Sequence, residues 1–312
     1  MLKVKSLTYK YHNNQKGFTL NNCSLNVKKQ EIVGIIGESG SGKTTLLKCI
    51  YGTFKPQSGS IIIKNKPINY QFEKLIKGNE GVRLVDQNFD LFEKITVKDN
   101  LIHQLNYLTV KEKNIIAKKL LADFHLTKLK NKIVDNLSGG EKQRVAIAKA
   151  IAENPSILLM DEPFSHIDNF LKYDFIHHIK KWVTATKNSV LLVTHDVETA
   201  LMLCNRIYVM KKGKIIQKNT AENIYRTPKN EYAAHLLGRY SIVSLNGENT
   251  ILRPDNFQIT DVKSADLTVK VTNVFYVGNG YEIIGENANN LITFYSENKI
   301  CEGEIIGLNI IL

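Results

Sequence analysis

The chain of 312 residues carries 42 Lys and Arg against 30 Asp and Glu, and 43% of its residues are hydrophobic. This composition is typical of a globular protein of about two domains and excludes a disordered chain. No apolar run approaches the roughly 18 to 20 residues that cross a bilayer, and the first residues lack the apolar core of a signal peptide. We therefore expect a chain that stays in the cytoplasm. The four cysteines form no C-x-x-C pair, which favours reduced thiols over a zinc site or disulfides.

The net charge of +12 is unevenly distributed along the chain. Residues 241–312 contain 4 Lys and Arg against 9 Asp and Glu, whereas residues 1–240 have a net charge of +17. Such a basic segment is compatible with nucleic acid, with anionic lipid head groups or with solvated lysines. Because the lysines are spread over several segments without interleaved aromatic residues, we favour solvation and a membrane surface, and expect no nucleic acid partner.

The first 30 residues predict the edge of an antiparallel sheet. Residues 2–9 alternate between apolar and polar side chains, and a second such run ends at residue 27, after a polar turn at residues 12–14. Tyr11 follows the first run. Its ring is either a half-buried strand residue, as Tyr9 is expected to be, or a platform on which a purine base stacks.

Residues 37–45 match the phosphate-binding pattern G-x-x-x-x-G-K-[ST] in full, between a β-branched run and an apolar helix start. The glycines let successive N–H groups fold around a polyphosphate at a helix N-terminus, where the helix dipole favours negative charge. Lys43 adds a point charge for the terminal phosphates, and Thr44 supplies a hydroxyl for Mg²⁺. The predicted phosphate-binding residues are Gly37, Glu38, Ser39, Gly40, Ser41, Gly42, Lys43, Thr44 and Thr45.

Three further predicted strands end on polar side chains. Gln87 is a candidate to bind Mg²⁺ or its water from a movable loop. Asp161 and Glu162 follow a buried apolar run, so Asp161 is placed to hold Mg²⁺ and Glu162 to polarise the water that attacks the γ-phosphate. His195 ends another apolar strand, at the sheet edge where ligands gather in doubly wound folds. We expect it to reach the γ-phosphate or its attacking water.

A second anion site is predicted where Ser138, Gly139 and Gly140 start a helix, because small residues allow close backbone approach and leave N–H groups available. Residues 96–126 read as helical and carry no recognisable chemistry. From residue 241 onward, short alternating runs separated by Asn and Gly turns predict a small all-β barrel or sandwich. The predicted domains are therefore residues 1–240 and 241–312.

In their order and spacing these motifs resemble the nucleotide-binding subunits of ATP-binding cassette (ABC) transporters, including a D-loop at residues 165–168. The resemblance implies an α/β fold: a P-loop NTPase domain with a parallel core sheet, an antiparallel β subdomain and a helical subdomain, followed by a small all-β OB/TOBE-like domain. It also implies an ATPase that uses ATP and Mg²⁺ and closes head to tail with a second copy of itself around two ATP molecules. The implied catalytic residues are Glu162, His195, Gln87 and Lys43; the implied Mg²⁺ ligands are Thr44, Gln87 and Asp161; and further ATP contacts are Tyr11, Ser138, Gly139, Gly140 and Asp168.

Residues 253–259 resemble the arginine-proline-glutamate string in the C-terminal domain of importer ATPases, which include those for polyamines and ferric iron. This implies integral membrane permease subunits, an extracytoplasmic solute-binding protein, and a place on the cytoplasmic face of the inner membrane. The D-loop sequence, the residues after Gln87 and the short tail of about 70 residues depart from the family pattern. An exporter-coupled or regulatory ATPase remains an alternative. A DNA-maintenance ATPase is disfavoured, because the 94 positions from Lys43 to Leu137 leave no room for a long coiled coil.

Overall fold

The computed structural model describes residues 1–11, 19–68, 70, 81–165, 167–245, 247–288 and 290–311. The predicted turn at residues 12–14 and His166 of the D-loop lie outside these ranges. The chain divides into two compact units, Met1–Ala221 and Glu222–Leu312. Within the described ranges, no helix is both long enough and apolar enough to cross a bilayer.

The elements of the first unit are as follows in chain order. They are β1 (Leu2–Tyr9), β2 (Leu20–Val27), β3 (Ile32–Ile36), α1 (Lys43–Tyr51), β4 (Ser58–Ile63), β5 (Lys66–Pro67), β6 (Val82–Val85), α2 (Val97–Ile102), α3 (Val110–Asp123), α4 (Gly139–Ala152), β7 (Ile157–Asp161), α5 (Asn169–Thr186), β8 (Ser189–Val193), α6 (Val197–Leu203), β9 (Arg206–Lys211) and β10 (Lys214–Thr220). Short 3₁₀ turns at Thr127–Leu129 and Val134–Asn136 connect α3 to α4.

The core of the first unit is a six-stranded sheet in the order β10-β9-β3-β8-β7-β6. All neighbouring strands are parallel except the β9–β10 hairpin at one edge. Every residue of β3, β7 and β8 is buried, as expected for parallel strands covered on both faces. Because the carboxyl ends of parallel strands meet at one edge, the segments after β3, β6, β7 and β8 come together there.

A second, antiparallel sheet in the order β2-β1-β4-β5 confirms the predicted antiparallel subdomain. The segment predicted as helical at residues 96–126 contains two helices, α2 and α3, which contact each other and α4. A capping box of Thr109 and Glu112 starts α3. Ile115 is 61% exposed although it fits the helical pattern, whereas Leu120 and Leu121 are buried. The apolar stripe of α3 is therefore narrower than the sequence pattern indicated.

The second unit begins one residue inside α7 and is otherwise mainly β. Its elements are α7 (Ala221–Arg226), α8 (Glu231–Leu236), β11 (Ser241–Leu245), β12 (Glu248–Leu252), β13 (Phe257–Thr260), β14 (Leu267–Tyr276), β15 (Tyr281–Asn287), β16 (Asn290–Ser296) and β17 (Ile305–Ile310). A hairpin of β11 and β12 accompanies a five-stranded antiparallel sheet in the order β13-β17-β14-β15-β16. Apolar residues from this sheet, such as Ile283 and Phe294, form its core. This all-β arrangement is consistent with an OB/TOBE-like domain.

Arg253 explains why the compact second unit includes helices that precede residue 241. Its side chain is 1% exposed and lies 4.5 Å from the ring of Tyr225. The guanidinium donates hydrogen bonds to the carbonyl oxygens of Tyr225, Ala234, Gly238 and Arg239 at 2.8–3.2 Å. One arginine therefore ties α7, α8 and the segment after α8 to the β-rich part of this unit.

Candidate functional site

The glycine loop after β3 closes around the side chain of Lys43. Its ammonium group donates hydrogen bonds to the carbonyl oxygens of Gly37 at 2.8 Å and Glu38 at 3.0 Å. A Cβ atom at Gly37 would lie 2.3 Å from the carbonyl oxygen of Met210, so this close approach requires glycine. Gly42, with φ at +105°, precedes the first residue of α1. Burial lowers the pKa of Lys43, and the nearby Glu162 and Asp161 oppose that shift.

The predicted phosphate-binding residues differ in exposure. Glu38, Ser39 and Gly40 form the exposed tip of the loop, whereas Gly37, Ser41, Gly42, Lys43 and Thr45 are buried and Thr44 is intermediate. The tip can therefore contact a nucleotide from solvent while the base of the loop is held by the protein.

Two buried oxygens at this site accept no hydrogen bond from the described residues: Asp161 Oδ1 and Ser41 Oγ. A buried polar atom without a partner costs free energy, so these atoms fit a site that a bound group completes. Oxygen donors of this kind are the ligands that Mg²⁺ prefers, and the Thr44 hydroxyl beside them already bonds to Asp161. Burial raises the pKa of Asp161, while the hydrogen bond from Thr44 acts in the opposite direction.

Glu162 and His195 lie together at the ends of the neighbouring strands β7 and β8. Glu162 Oε1 is 2.9 Å from Nδ1 of His195, whose side chain is 70% exposed, whereas that of Glu162 is only 14% exposed. Glu162 Oε2 accepts hydrogen bonds from the Thr194 hydroxyl at 3.0 Å and from the His195 N–H at 3.3 Å. The backbone of Glu162 has φ at +50°, a strained conformation for a residue other than glycine. Such strain at a strand end is a frequent property of functional sites.

Tyr11 lies beside the phosphate-binding helix. Its hydroxyl is 3.0 Å from Oγ1 of Thr45, and its ring packs edge-on against Tyr9 and Phe54. The side chain remains 38% exposed. Tyr9 is 9% exposed, so only Tyr11 of the two presents substantial ring surface to solvent next to α1.

The remaining predicted residues lie outside this cluster. Gln87 is exposed in the turn after β6. Ser138 and Gly139 are exposed at the start of α4, where the Ser138 hydroxyl accepts a hydrogen bond from the Glu141 N–H. Asp168 occupies the N-cap position of α5, but its side chain makes no capping hydrogen bond. The roles assigned to these residues remain predictions.

Sequence patterns did not single out two residues that contact Glu162. Gln143 of α4 donates from Nε2 to the Glu162 carbonyl oxygen at 2.9 Å, and the Thr194 hydroxyl reaches its carboxylate. Gln143 lies in α4, just after the predicted anion site at residues 138–140. This proximity is the sequence signal that could have identified it. Thr194 immediately precedes His195, and the apolar run of β8, which is buried throughout, does not indicate where the Thr194 hydroxyl points.

Comparisons with known proteins agree with this geometry. A family model described as ABC transporter matches residues 20–165. The spermidine/putrescine import ATP-binding protein PotA of Borreliella afzelii (strain PKo) is 32% identical over 313 residues, which cover 91% of this chain and 88% of that protein. A dimeric post-hydrolysis structure of the ATP-binding cassette MJ0796 bound to ADP and Pi is 30% identical, with a TM-score of 0.62 over 71% of this chain and 99% of that chain. CbiO1 from Clostridium perfringens, part of the transporter complex cbiONQ, is 29% identical, with a TM-score of 0.63 over 72% of this chain and 90% of that chain.

Proposed function

The chain belongs to the ATP-binding subunits of ABC transporters, and from that premise we propose which residues carry out ATP hydrolysis and which assembly they serve. The chain is an ATPase motor subunit whose hydrolysis of ATP is coupled to transport. The observation that supports the proposed mechanism best is the cluster at one sheet edge, where Lys43, Asp161, Glu162 and His195 lie at or beyond the carboxyl ends of adjacent parallel strands.

In the proposed mechanism Glu162 is the general base. Thr194 and the His195 backbone bind its Oε2 atom, so Oε1 accepts the proton of the water that attacks the γ-phosphate. The exposed side chain of His195 contacts Glu162 Oε1 through Nδ1. In this proposal it stabilises the γ-phosphate once ATP is bound. Lys43 leaves the loop carbonyls and binds the terminal phosphates, which replace the hydrogen bonds it gives up.

Asp161 and Thr44 would hold Mg²⁺, with Gln87 approaching from the turn after β6. When bound, Mg²⁺ neutralises phosphate charge as a Lewis acid. The partnerless Asp161 oxygen supports this assignment. We propose Tyr11 as the adenine platform because its ring is partly exposed beside α1.

A second copy of the chain completes each site in this proposal. Gly139 supports it: a Cβ atom there would meet nothing within 4 Å, so the fold of this chain does not require glycine at that position. A glycine that its own chain does not need, at an exposed helix N-terminus, suits close approach by the phosphates of a nucleotide bound to the partner. Asp168 is likewise exposed beside the start of α5. Dimeric structures of the related cassette MJ0796 support this arrangement.

We further propose that the motor drives an importer for a small organic polycation. The support is the 32% identity, over nearly the whole length, to a protein named for spermidine and putrescine import. The proposed assembly contains integral membrane permease subunits and an extracytoplasmic solute-binding protein, with this chain on the cytoplasmic face of the membrane. Uptake of labelled spermidine by cells with and without this chain tests the solute class. Equal uptake in both would exclude it.

The base assignment is tested with Glu162→Gln in the full-length chain. Removing the basic carboxylate is expected to lower kcat by about 10²–10⁴-fold. ATP binding remains, so ATP-dependent dimers should accumulate in size-exclusion chromatography. Glu198→Gln, which removes a charge from the exposed surface of α6, is the matched control and should hydrolyse ATP at the parental rate. Parental hydrolysis by Glu162→Gln would reject the assignment.

A further inference from the structure

A continuous path of hydrogen bonds leads from the Glu162 carboxylate to α5. The Thr194 hydroxyl donates to Glu162 Oε2 at 3.0 Å and accepts from the Asp196 N–H at 2.9 Å. The side chain of Asp196 in turn forms an ion pair with Lys172, at 2.7 Å from Nζ to Oδ2. Lys172 lies in the first turn of α5, where its backbone N–H donates to the Asp168 carbonyl oxygen at 3.1 Å.

The geometry gives each member of this path little freedom. Thr194 is 2% exposed and its single hydroxyl proton is committed to Glu162. The Asp196 carboxylate also caps α6, accepting from the N–H and the hydroxyl of Thr199 at 3.1 and 2.7 Å. Burial opposes ionisation of Asp196, but the hydrogen bonds from Lys172 and Thr199 prevail and lower its pKa. The Lys172 side chain is 12% exposed and that of Asp196 is 27% exposed, so this ion pair is partly shielded from solvent.

We propose that Thr194 is a positioning residue for Glu162. The Lys172–Asp196 ion pair links Thr194 to the start of α5, so the position of Asp168 sets the orientation of the Glu162 carboxylate. The inference rests on the proposed role of Glu162 as general base. Thr194 holds Oε2, so the oxygen that accepts the proton is Oε1, which faces His195 Nδ1 at 2.9 Å. Asp168 is exposed, so a partner subunit that displaces the first turn of α5 changes the orientation of the base.

A positioning role differs from a binding role in its kinetics. Thr194 donates its backbone N–H to the carbonyl oxygen of Ile35, which lies in β3 rather than in the phosphate-binding loop, and its hydroxyl donates to Glu162. Removing its hydroxyl should therefore leave the affinity for ATP unchanged and slow the chemical step, because a small misplacement of a reacting group costs up to about 10²-fold in rate.

The test measures kcat and KM for ATP hydrolysis by the full-length chain, and the Kd of a fluorescent ATP analogue. Thr194→Val preserves the shape of the side chain and should lower kcat by about 10–100-fold, with KM and Kd within about 2-fold of the parent. Thr194→Ser keeps the hydroxyl and should restore kcat to within about 3-fold. Parental kcat in Thr194→Val, measured alongside an inactive Glu162→Gln, would overturn this inference and leave the base assignment intact. An active Glu162→Gln would instead overturn the proposed base, and this inference with it.

The link to α5 is tested by a double-mutant cycle. Lys172→Met should lower kcat by about 3–10-fold and Lys172→Arg should restore it, while Lys180→Met on the exposed side of the same helix changes nothing. If the residues act through one path, Thr194→Val combined with Lys172→Met should be no slower than Thr194→Val alone. Fully additive effects would overturn the link. If circular dichroism shows that Thr194→Val does not fold, the two Lys172 variants test the link instead. A parental kcat in Lys172→Met would then refute the path.

Discussion

The ammonium group of Lys43 lies 2.8 Å from the carbonyl oxygen of Gly37, so the lysine that is expected to bind phosphate is held by its own loop. This contact keeps a largely desolvated cation hydrogen-bonded, when leaving it without partners would be costly. Phosphate oxygens can then replace the carbonyl oxygens without first dehydrating an exposed ammonium group. The loop is thereby prepared for its ligand.

Replacement of Lys43 tests this relationship. Lys43→Ala should weaken binding of a fluorescent ATP analogue by about 10–100-fold, since a hydrogen bond to a charged group contributes about 1.5–3 kcal/mol. Lys55→Ala removes an exposed positive charge after the same helix and serves as the control. Equal affinities of the parent and Lys43→Ala would contradict the assignment.

Tyr11 offers a test that separates ring from hydroxyl. If its ring stacks on adenine, Tyr11→Phe loses only the hydrogen bond to Thr45 and should keep the parental affinity for ATP. Tyr11→Ala removes the stacking surface, which is worth about 1–3 kcal/mol per base, and should weaken ATP binding by about 5–100-fold. Comparison of ATP with a base-free polyphosphate gives the readout. An equal loss for both ligands would indicate that Tyr11 only supports the loop.

Substitution of Gly139 separates folding from assembly. Because a Cβ atom there meets nothing within 4 Å, and valine in a helix costs no more than glycine, Gly139→Val should keep the parental melting temperature. The larger side chain should nevertheless prevent close approach of a partner's nucleotide, so ATP-dependent dimers disappear and kcat falls. The dimer is measured by light scattering in the presence of ATP. For this measurement each Gly139 variant is combined with Glu162→Gln, which is expected to accumulate ATP-dependent dimers. Gly139→Ala, which adds a single methyl group, should be affected less. Unchanged dimerisation in Gly139→Val would contradict the head-to-tail arrangement.

Asp161 should make stability depend on pH. Burial raises its pKa, with Glu162 adding to the shift, so the folded chain binds a proton at this carboxyl more tightly than the unfolded chain does. The stabilisation from that proton is present below the ordinary carboxyl pKa and is lost as the pH rises through the raised value. Without nucleotide and Mg²⁺, Asp161→Asn should therefore melt at a higher temperature than the parent at pH 7, and the difference should shrink towards pH 4.

The control for this pH dependence is Asp135→Asn, because the Asp135 side chain is 68% exposed and should show no such difference. Calorimetry of the three proteins provides the measurement. A melting temperature of Asp161→Asn below that of the parent at pH 7 would contradict the prediction. The same substitution should weaken the effect of Mg²⁺ on ATP binding, because the amide replaces a proposed ligand.

Arg253 should be essential to the stability of the second unit. Arg253→Met leaves four carbonyl acceptors without their shared donor and should lower the free energy of unfolding by about 3 kcal/mol or more. Arg239→Met breaks an ion pair whose arginine is 61% exposed, so it should change stability by less than about 1 kcal/mol. Denaturant unfolding followed by tyrosine fluorescence compares them. Similar small losses in both variants would show that the buried network contributes little.

Much of the site could be predicted from sequence because its chemistry is local. The loop at residues 37–45 combines its glycines, Lys43 and the start of α1 in one continuous segment, so spacing alone predicts a phosphate site. Asp161, Glu162 and His195 end or follow short apolar runs whose length favours buried strands, and parallel strands bring their ends to one edge. The fold class followed from the resemblance of these motifs to the ATP-binding subunits of ABC transporters.

Other features depended on tertiary contacts that no local pattern encodes. The hydroxyl of Thr194 points at Glu162 because β7 and β8 are neighbours, and Lys172 meets Asp196 only because α5 packs beside α6. Arg253 stood out in sequence only as part of the string at residues 253–259, and no local pattern indicates that its side chain is buried against carbonyl groups of two helices. The sequence predicts which groups bind and hydrolyse a nucleotide, because those groups stand in short local motifs. The orientation of the groups became evident only from the folded chain, because it arises from hydrogen bonds between segments that are distant along the chain.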